Sequence, residues 1–321
     1  MSPAHLPMGE GAEFDVIRQL LGTWGDVAVG IGDDAAVLDL PAGERLVVST
    51  DASVEHVHFR REWMTPAEIG GRAATAALSD LAAMGATPRG LLLALGLPAG
   101  WRADLEQIAR GLGAVCAAAE CPIVGGNISA ASELSLTITV LGSVQTPLTR
   151  SGAHVGDIMF VTGKLGGPGA ALRAWLTGSD PQPEHRARFV GPVPRLREAR
   201  WLALHGARAA IDISDGLAAD AGHLASASGV TLSFDATAVP CFPGIRVEDA
   251  MMSGEEYELL VTAPADSAVE VASFAREFDV PLTAVGVVVP RGGNAVKGLV
   301  IGAPSGYDHL SDSSRSARVE R

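Results

Sequence analysis

Residues 65–85 read TPAEIGGRAATAALSDLAAMG, and this stretch predicts a long, closely packed helix. Thr65 can cap the first turn, a proline follows at the first helical position, and Gly85 can end the helix. The β-rich stretches 45–50 and 90–97 lie on either side of it in the sequence. The order strand, helix, strand therefore predicts an α/β fold.

One acid, Asp80, lies on the small-residue face of this helix. Ile69, Ala73 and Ala76 fall close to the same face, because the helix has 3.6 residues per turn. The residues three and four positions from Asp80 are Ala or Met, so no Lys or Arg can pair with it along the helix. Asp80 alone fits a metal ligand, and it fits equally well an acid that is partly exposed or paired through tertiary contacts.

Asp80 belongs to one of four short acidic motifs that place carboxylates among small or apolar residues with few cations nearby. These motifs are Gly32-Asp33-Asp34-Ala35, Ser49-Thr50-Asp51, Leu78-Ser79-Asp80-Leu81 and Ile211-Asp212-Ile213-Ser214-Asp215-Gly216. Grouped carboxylates are costly unless a divalent cation lies among them, and hard oxygen ligands select Mg²⁺ or Mn²⁺ over zinc. The motifs together predict an enzyme that acts on a Mg²⁺-nucleotide.

The fourth motif also has a predicted geometry. In a strand, Ile211 and Ile213 would face the core while Asp212 and Ser214 would lie on the opposite face. The strand then turns into a helix, which is where open α/β sheets place ligand sites. Asp215 fits a plain helix cap as well as it fits a metal ligand.

Three further segments have both a structural and a functional interpretation. The glycine-rich loop 163–169 could cradle phosphate or form a tight turn, and it matches neither a Walker A loop nor G-x-G-x-x-G. The segment 124–127 is expected to end a short strand, and 255–257 is expected to open one. Each of the last two alone is more typical of a turn or a solvated surface.

Composition narrows the class of protein. The 321 residues carry 24 basic and 37 acidic side chains, a net charge of −13, and 47% are hydrophobic. This balance argues against a nucleic-acid partner. The first residues lack the pattern of a secretory signal, and the longest apolar run, 91–97, is too short to span a bilayer. With three cysteines and no metal-ligand spacing, we expect a cytoplasmic protein without a membrane partner.

Strands and helices alternate along two stretches of chain, separated by a break at Gln145-Thr146-Pro147. We expect an N-terminal domain at 1–147 and a C-terminal α/β domain at 148–310. The Ser/Arg-rich tail 311–321 is expected to be disordered.

The motifs taken in order resemble the thiamine-monophosphate kinases, which share a superfamily with aminoimidazole ribonucleotide synthetase and selenophosphate synthetase. The segments that carry the resemblance are GIGDDAAVL at 30–38, STD at 49–51, HVHF at 56–59, ALSDLAAMGA at 77–86, LTRSGA at 148–153, AIDISDGL at 210–217, SGEEYEL at 253–259 and GYDH at 306–309. They span nearly the whole chain.

The resemblance implies a two-domain fold like that of aminoimidazole ribonucleotide synthetase, with an active site between the domains and a homodimer joined through the N-terminal sheets. It assigns magnesium ligands to Asp34, Ser49, Thr50, Asp51, Asp80, Asn127, Asp212 and Asp215, of which Asp51, Asp80 and Asp212 are expected to be catalytic. It assigns ATP contacts to Gly126, Asn127, Arg150 and Ser214, and contacts with thiamine monophosphate to His58, Glu255 and Tyr307.

Two residues depart from the family pattern. Asn127 stands where the family usually has Asp, a magnesium ligand, so one metal is expected to bind more weakly. Glu256 replaces the usual Asp after Glu255, which is a milder change. The implied reaction transfers the γ-phosphoryl group of ATP to thiamine monophosphate with the help of several Mg²⁺ ions. Two alternatives stay open: another ATP-dependent synthetase of the superfamily, and a degenerate nucleotide-binding protein without catalysis.

Overall fold

The computed structural model describes residues 5 and 10–298, which form two compact units. The first unit contains the described residues up to Leu81 together with Ala86–Thr146. The second contains Ala82–Gly85 together with the described residues from Pro147 onward. Tyr307 and the tail 311–321 lie outside the described residues.

The first unit is built on a four-stranded sheet with helices packed on it. Its elements are α1 (Ala12–Trp24), β1 (Arg45–Val54), α2 (Pro66–Ala83), β2 (Thr87–Leu97), α3 (Leu105–Ala118), β3 (Ile123–Ala130) and β4 (Ser135–Val144). The strand order is β1-β4-β2-β3, so β1 and β3 form the two edges. β2 and β3 run parallel because α3 crosses between them, and the other pairs are antiparallel.

The predicted helix α2 forms for the local reasons that the sequence offers. The backbone N–H of Thr65 donates to the Glu68 carboxylate at 2.8 Å, and the backbone N–H of Glu68 donates to the Thr65 hydroxyl at 3.3 Å. This reciprocal capping box satisfies two N–H groups that have no partner inside the helix. Gly85 follows the helix with a φ of +64°, a left-handed conformation that glycine adopts without strain.

Two glycines bring α2 against α3 at main-chain distance. A Cβ atom on Gly70 would lie 2.0 Å from the carbonyl oxygen of Ile108, and one on Gly111 would lie 1.8 Å from that of Ala67. Any side chain at either position would therefore push the two helices apart. On the sheet side, the Leu81 side chain of α2 lies against Gly142 of β4.

The second unit is a six-stranded mixed sheet with helices around it. Its elements are β5 (Ile158–Thr162), α4 (Gly167–Leu176), α5 (Pro183–Val190), α6 (Leu196–Leu204), β6 (Ala209–Asp212), α7 (Leu217–Ser228), β7 (Thr231–Phe234), α8 (Val247–Met251), β8 (Leu259–Ala263), α9 (Val271–Phe278), β9 (Leu282–Val289) and β10 (Val296–Lys297). The strand order is β10-β7-β9-β5-β8-β6. Its core includes Met159 and Val161 of β5, Ile211 of β6 and Leu224 of α7.

Several predicted boundaries were wrong. The segment 124–127 lies inside β3 and does not end a strand, and the strand expected to open at 255–257 begins at Leu259. Helix α9 begins at Val271, after a turn in which the backbone N–H of Ser267 donates to the Pro264 carbonyl. Among residues 5 and 10–298, no helix is long and apolar enough to cross a membrane.

Candidate active site

The first group of predicted site residues lies where β1 faces α2. The Ser49 hydroxyl of β1 donates to Oδ2 of Asp80 on α2 at 2.5 Å, and both residues are partly buried. Asp51 lies two residues along β1, so its side chain leaves the strand on the same face as Ser49. The structure therefore brings Ser49, Asp51 and Asp80 to one side of the sheet, and it gives Asp80 the tertiary partner that the sequence left open.

The second group lines a cavity of about 670 Å³ on the opposite face of the same sheet. Asp34, Gly126 and Asn127 line it, together with Thr139 of β4. Thr50 joins this group, because the Thr139 hydroxyl donates to the Thr50 hydroxyl at 3.1 Å. Residues of the 30–36 loop, with Phe14 and Ile17 of α1, also line the cavity.

Asn127 and Asp51 do not meet within one chain. They lie on β3 and β1, the two edges of the sheet, and three strand spacings of about 4.8 Å separate those edges. Their side chains also leave opposite faces of the sheet. Mg²⁺ holds its ligand oxygens at about 2.1 Å, so these two residues of one chain do not share an ion in this arrangement.

The close pairing of β3 with β2 is sufficient to explain why residue 126 is a glycine. Its φ is +159°, and a Cβ atom there would lie 2.0 Å from the carbonyl oxygen of Leu93 on β2. The glycine therefore allows β3 to pair closely with β2. This contact fixes Asn127, the next residue, at the wall of the cavity.

In the second unit, the turn after β6 carries three of the predicted residues. Asp212 ends β6 and is only 4% exposed, while Ser214 and Asp215 are partly buried in the turn before α7. Ile211 and Ile213 are buried in the core, as the alternating pattern predicted. Asp212 is buried as well, although it lies on the opposite face of the strand.

The sequence interpretation missed Asp220, on the first turn of α7. Its carboxylate accepts the backbone N–H groups of Ser214 at 3.0 Å and of Asp215 at 3.1 Å. Burial, followed by the neighbouring carboxylates of Asp212 and Asp215, raises the pKa of Asp220 to about 7. Single carboxylate oxygens of Asp215 and Asp220 and a ring nitrogen of His223 lie within 4.8 Å of one another. The sequence contains a signal for this role, because Asp220 lies one helical turn after the Asp215-Gly216 turn and can accept backbone N–H groups there.

Glu255 lies in an irregular segment, 253–258, that is attached to this turn. The backbone N–H of Glu255 donates to the Ser214 carbonyl at 2.7 Å, and that of Tyr257 donates to the Ile213 carbonyl at 2.9 Å. Glu255 and Tyr257 have positive φ angles of 65° and 52°, which are uncommon for residues with a side chain. The Tyr257 hydroxyl donates to Oε2 of Glu255 at 2.5 Å.

The same segment anchors the glycine-rich loop 163–169. The backbone N–H of Gly166 donates to Oε1 of Glu256 at 2.6 Å, and that of Gly169 donates to the Ser253 hydroxyl at 2.9 Å. Two amides of the loop are thus already bonded within the protein. Of the two interpretations, the structure favours the tight turn over the phosphate cradle.

Two buried glutamates of this segment differ in their environment. The Glu258 carboxylate accepts hydrogen bonds from Thr162, Arg188 and Arg195 at 2.6–2.8 Å. Glu256 is fully buried, and burial raises its pKa to about 8. Among the described residues, Oε2 of Glu256 has no hydrogen-bond partner.

The remaining predicted contacts lie on loops. Nδ1 of His58 accepts the backbone N–H of Val54 at 3.1 Å, which fixes the ring at the turn after β1. Arg150 is exposed, and its carbonyl accepts the hydroxyl of Ser228 at 2.6 Å. Tyr307 lies outside the described residues.

The donor atoms of the predicted metal ligands are all oxygens of carboxylates, hydroxyls and one amide. Such a set fits a hard divalent cation such as Mg²⁺ and does not fit zinc, which prefers nitrogen and sulfur. Three carboxylates, those of Asp212, Asp215 and Asp220, lie at the turn after β6, and burial together with the first two raises the pKa of Asp220. The donor atoms in each of these groups therefore fit magnesium.

Both units of the chain match a known protein family. Residues 32–144 match the N-terminal domain, and residues 154–298 the C-terminal domain, of AIR synthase related proteins. The chain is 39% identical over 252 residues to thiamine-monophosphate kinase of Synechococcus elongatus. This alignment covers 73% of this chain and 77% of that protein. The chain therefore belongs to the thiamine-monophosphate kinase family.

Solved structures agree with this assignment. Thiamine-monophosphate kinase from Stenotrophomonas maltophilia superimposes with a TM-score of 0.78 at 34% identity, covering 92% of this chain and 98% of that chain. AaThiL complexed with AMPPCP and TMP gives a TM-score of 0.75 at 30% identity, covering 92% and 96%. These similarities confirm the predicted two-domain α/β fold.

Proposed function

We propose that this chain transfers the γ-phosphoryl group of ATP to thiamine monophosphate and produces thiamine diphosphate and ADP. The observation that carries the proposal is the similarity to thiamine-monophosphate kinases over nearly the full length of both chains, including AaThiL complexed with AMPPCP and TMP. It covers both units, so the acidic residues of each belong to the matched region.

The acceptor needs no general base from the protein. The second pKa of a phosphate monoester is about 6, so the attacking oxygen is already ionised near neutral pH. The task of the protein is to hold two anionic groups in line and to offset their charge. This task agrees with a site that offers many carboxylates and hydroxyls.

Several magnesium ions would be held: in the first unit by Asp34, Ser49, Thr50, Asp51, Asp80 and Asn127, and in the second unit by Asp212 and Asp215. When bound, they supply positive charge that offsets the charge of the phosphoryl groups. Arg150 adds a fixed positive charge for the nucleotide phosphates. Gly126 and Ser214 also contact the nucleotide. His58, Glu255 and Tyr307 contact thiamine monophosphate.

We also propose a homodimer, with the N-terminal sheet as its interface. Leu46 and Val48 of the edge strand β1 are 50% and 53% exposed, and a twin subunit would cover them. A cytoplasmic location accords with the three cysteines, Cys116, Cys121 and Cys241, all of which are free thiols.

The test is a product analysis with the purified protein, ATP, Mg²⁺ and thiamine monophosphate. We expect ADP and thiamine diphosphate in equal amounts, and loss of both products in Asp212→Asn. Product with an amide or selenide acceptor, and none with thiamine monophosphate, would favour a synthetase of the superfamily. Nucleotide binding without any turnover would favour the degenerate protein that Asn127 suggests.

A further inference from the structure

Tyr257 is a residue of segment 253–258 to which the proposed reaction assigns no role. Tyr257 is 8% exposed, and its hydroxyl donates to the Glu255 carboxylate at 2.5 Å. A hydrogen bond to an ionised acceptor is short and roughly twice as strong as one between neutral groups. The contact is therefore suited to holding the Glu255 carboxylate in one orientation.

The backbone around this pair is unusual. Glu255 and Tyr257 both have φ in the left-handed region, at 65° and 52°. Non-glycine residues keep such conformations only where the surrounding structure determines them, and they collect at ligand sites. Here two backbone hydrogen bonds, to the carbonyls of Ser214 and Ile213, supply that determination.

Alternate residues of segment 255–258 have different surroundings. Glu256 and Glu258 turn into the protein, where they bind the loop 163–169 and the arginines Arg188 and Arg195. Glu255 is only partly buried, and the Tyr257 hydroxyl reaches it from two residues along the chain. The backbone of segment 253–258 is held in place, and the segment thus presents one oriented carboxylate.

We infer that Tyr257 is a positioning residue that orients the Glu255 carboxylate toward the cationic thiamine part of the substrate; the inference rests on the proposed kinase function. Thiamine monophosphate carries a positively charged thiazolium ring and an aminopyrimidine, and a carboxylate suits either group. A carboxylate has about four acceptor positions, so Glu255 can accept from Tyr257 and from a ligand at the same time. The positioned oxygen would then distinguish a cationic heterocycle from other phosphate monoesters.

The test is the steady-state kinetics of Tyr257→Phe, which removes one hydroxyl and keeps the ring. We expect the KM for thiamine monophosphate to rise about tenfold, as for loss of a hydrogen bond to a charged group, while the KM for ATP stays within about twofold. In a Glu255→Gln background, Tyr257→Phe is expected to add less than about twofold. Thr231→Val on β7 removes a hydroxyl that donates to the Asn294 carbonyl, and it serves as the control for general loss of stability.

An unchanged KM for thiamine monophosphate, or an equal rise for both substrates, would overturn the inference. Lack of turnover by the parent protein would instead overturn the proposed function. If Tyr257→Phe does not fold, the parent labelled with 3-fluorotyrosine gives the answer, since the chain has only two tyrosines. The fluorine signal that persists in Tyr307→Phe belongs to Tyr257. It should move on addition of thiamine monophosphate, and a signal that does not move contradicts the inference.

Discussion

Glu256→Gln tests how the buried segment 253–258 responds to pH. The ordinary pKa of a Glu side chain is 4.5, and burial raises that of Glu256 to about 8. Between these values the unfolded chain has released the proton and the folded chain keeps it. The folded state binds more protons, so the free energy of unfolding must fall as the pH rises through this window.

The size of the effect follows from linkage. One proton corresponds to about 1.4 kcal/mol per pH unit, so the parent should lose on the order of 2–3 kcal/mol relative to Glu256→Gln between pH 5.5 and 7.5. Gln keeps an oxygen that can accept from Gly166 and Ser253, but its amide hydrogens need partners. That cost, about 1–3 kcal/mol, does not vary with pH and leaves the slope unchanged.

The assay is urea denaturation followed by tryptophan fluorescence at a series of pH values, without Mg²⁺ or nucleotide. The difference between parent and variant isolates Glu256, because the raised pKa of Asp220 affects both proteins equally. Glu106→Gln, at an exposed position on α3, is the matched control and should run parallel to the parent. Parallel curves for Glu256→Gln would mean that Glu256 is ionised in the folded protein, and the reasoning would be refuted.

Three other outcomes are expected. Asp80→Asn should lower kcat more than about 100-fold while the protein stays folded, and near-normal activity would remove Asp80 from the mechanism. Asn127→Asp should lower the Mg²⁺ concentration for half-maximal ADP formation, because a carboxylate binds a hard cation more strongly than an amide does; an unchanged titration would show that position 127 does not touch the metal. Light scattering at micromolar concentration should give about twice the monomer mass of 32.9 kDa, and a monomer mass would contradict the dimer.

Local signals in the sequence were sufficient for much of the fold. The cap at Thr65, the small-residue face of α2 and the alternation of Ile211 and Ile213 with polar residues all act between near neighbours. Such patterns depend on residues that are close in sequence, so they can be recognised without coordinates. The strand pairing order could not be deduced this way.

The missed features depend on contacts between distant residues. Gly125-Gly126 has the composition of a turn, yet close pairing with Leu93 holds it inside β3. Glu256 meets the Gly166 amide across 90 positions of sequence, and nothing near either residue indicates the contact. The candidate site is similar: its motifs could be recognised in the sequence, but only the strand order shows that β1 and β3 carry them at opposite edges of the first sheet.

The crossing of α2 and α3 has a consequence for how the chain can vary. Main-chain atoms define the separation of these helices, because the carbonyl groups of Ile108 and Ala67 occupy the space of the missing side chains of Gly70 and Gly111. Exchange of the surrounding apolar side chains can alter the packing density without moving the helix axes. Backbone geometry therefore determines the location of Asp80. The neighbouring core side chains can be substituted while that carboxylate keeps its place beside β1.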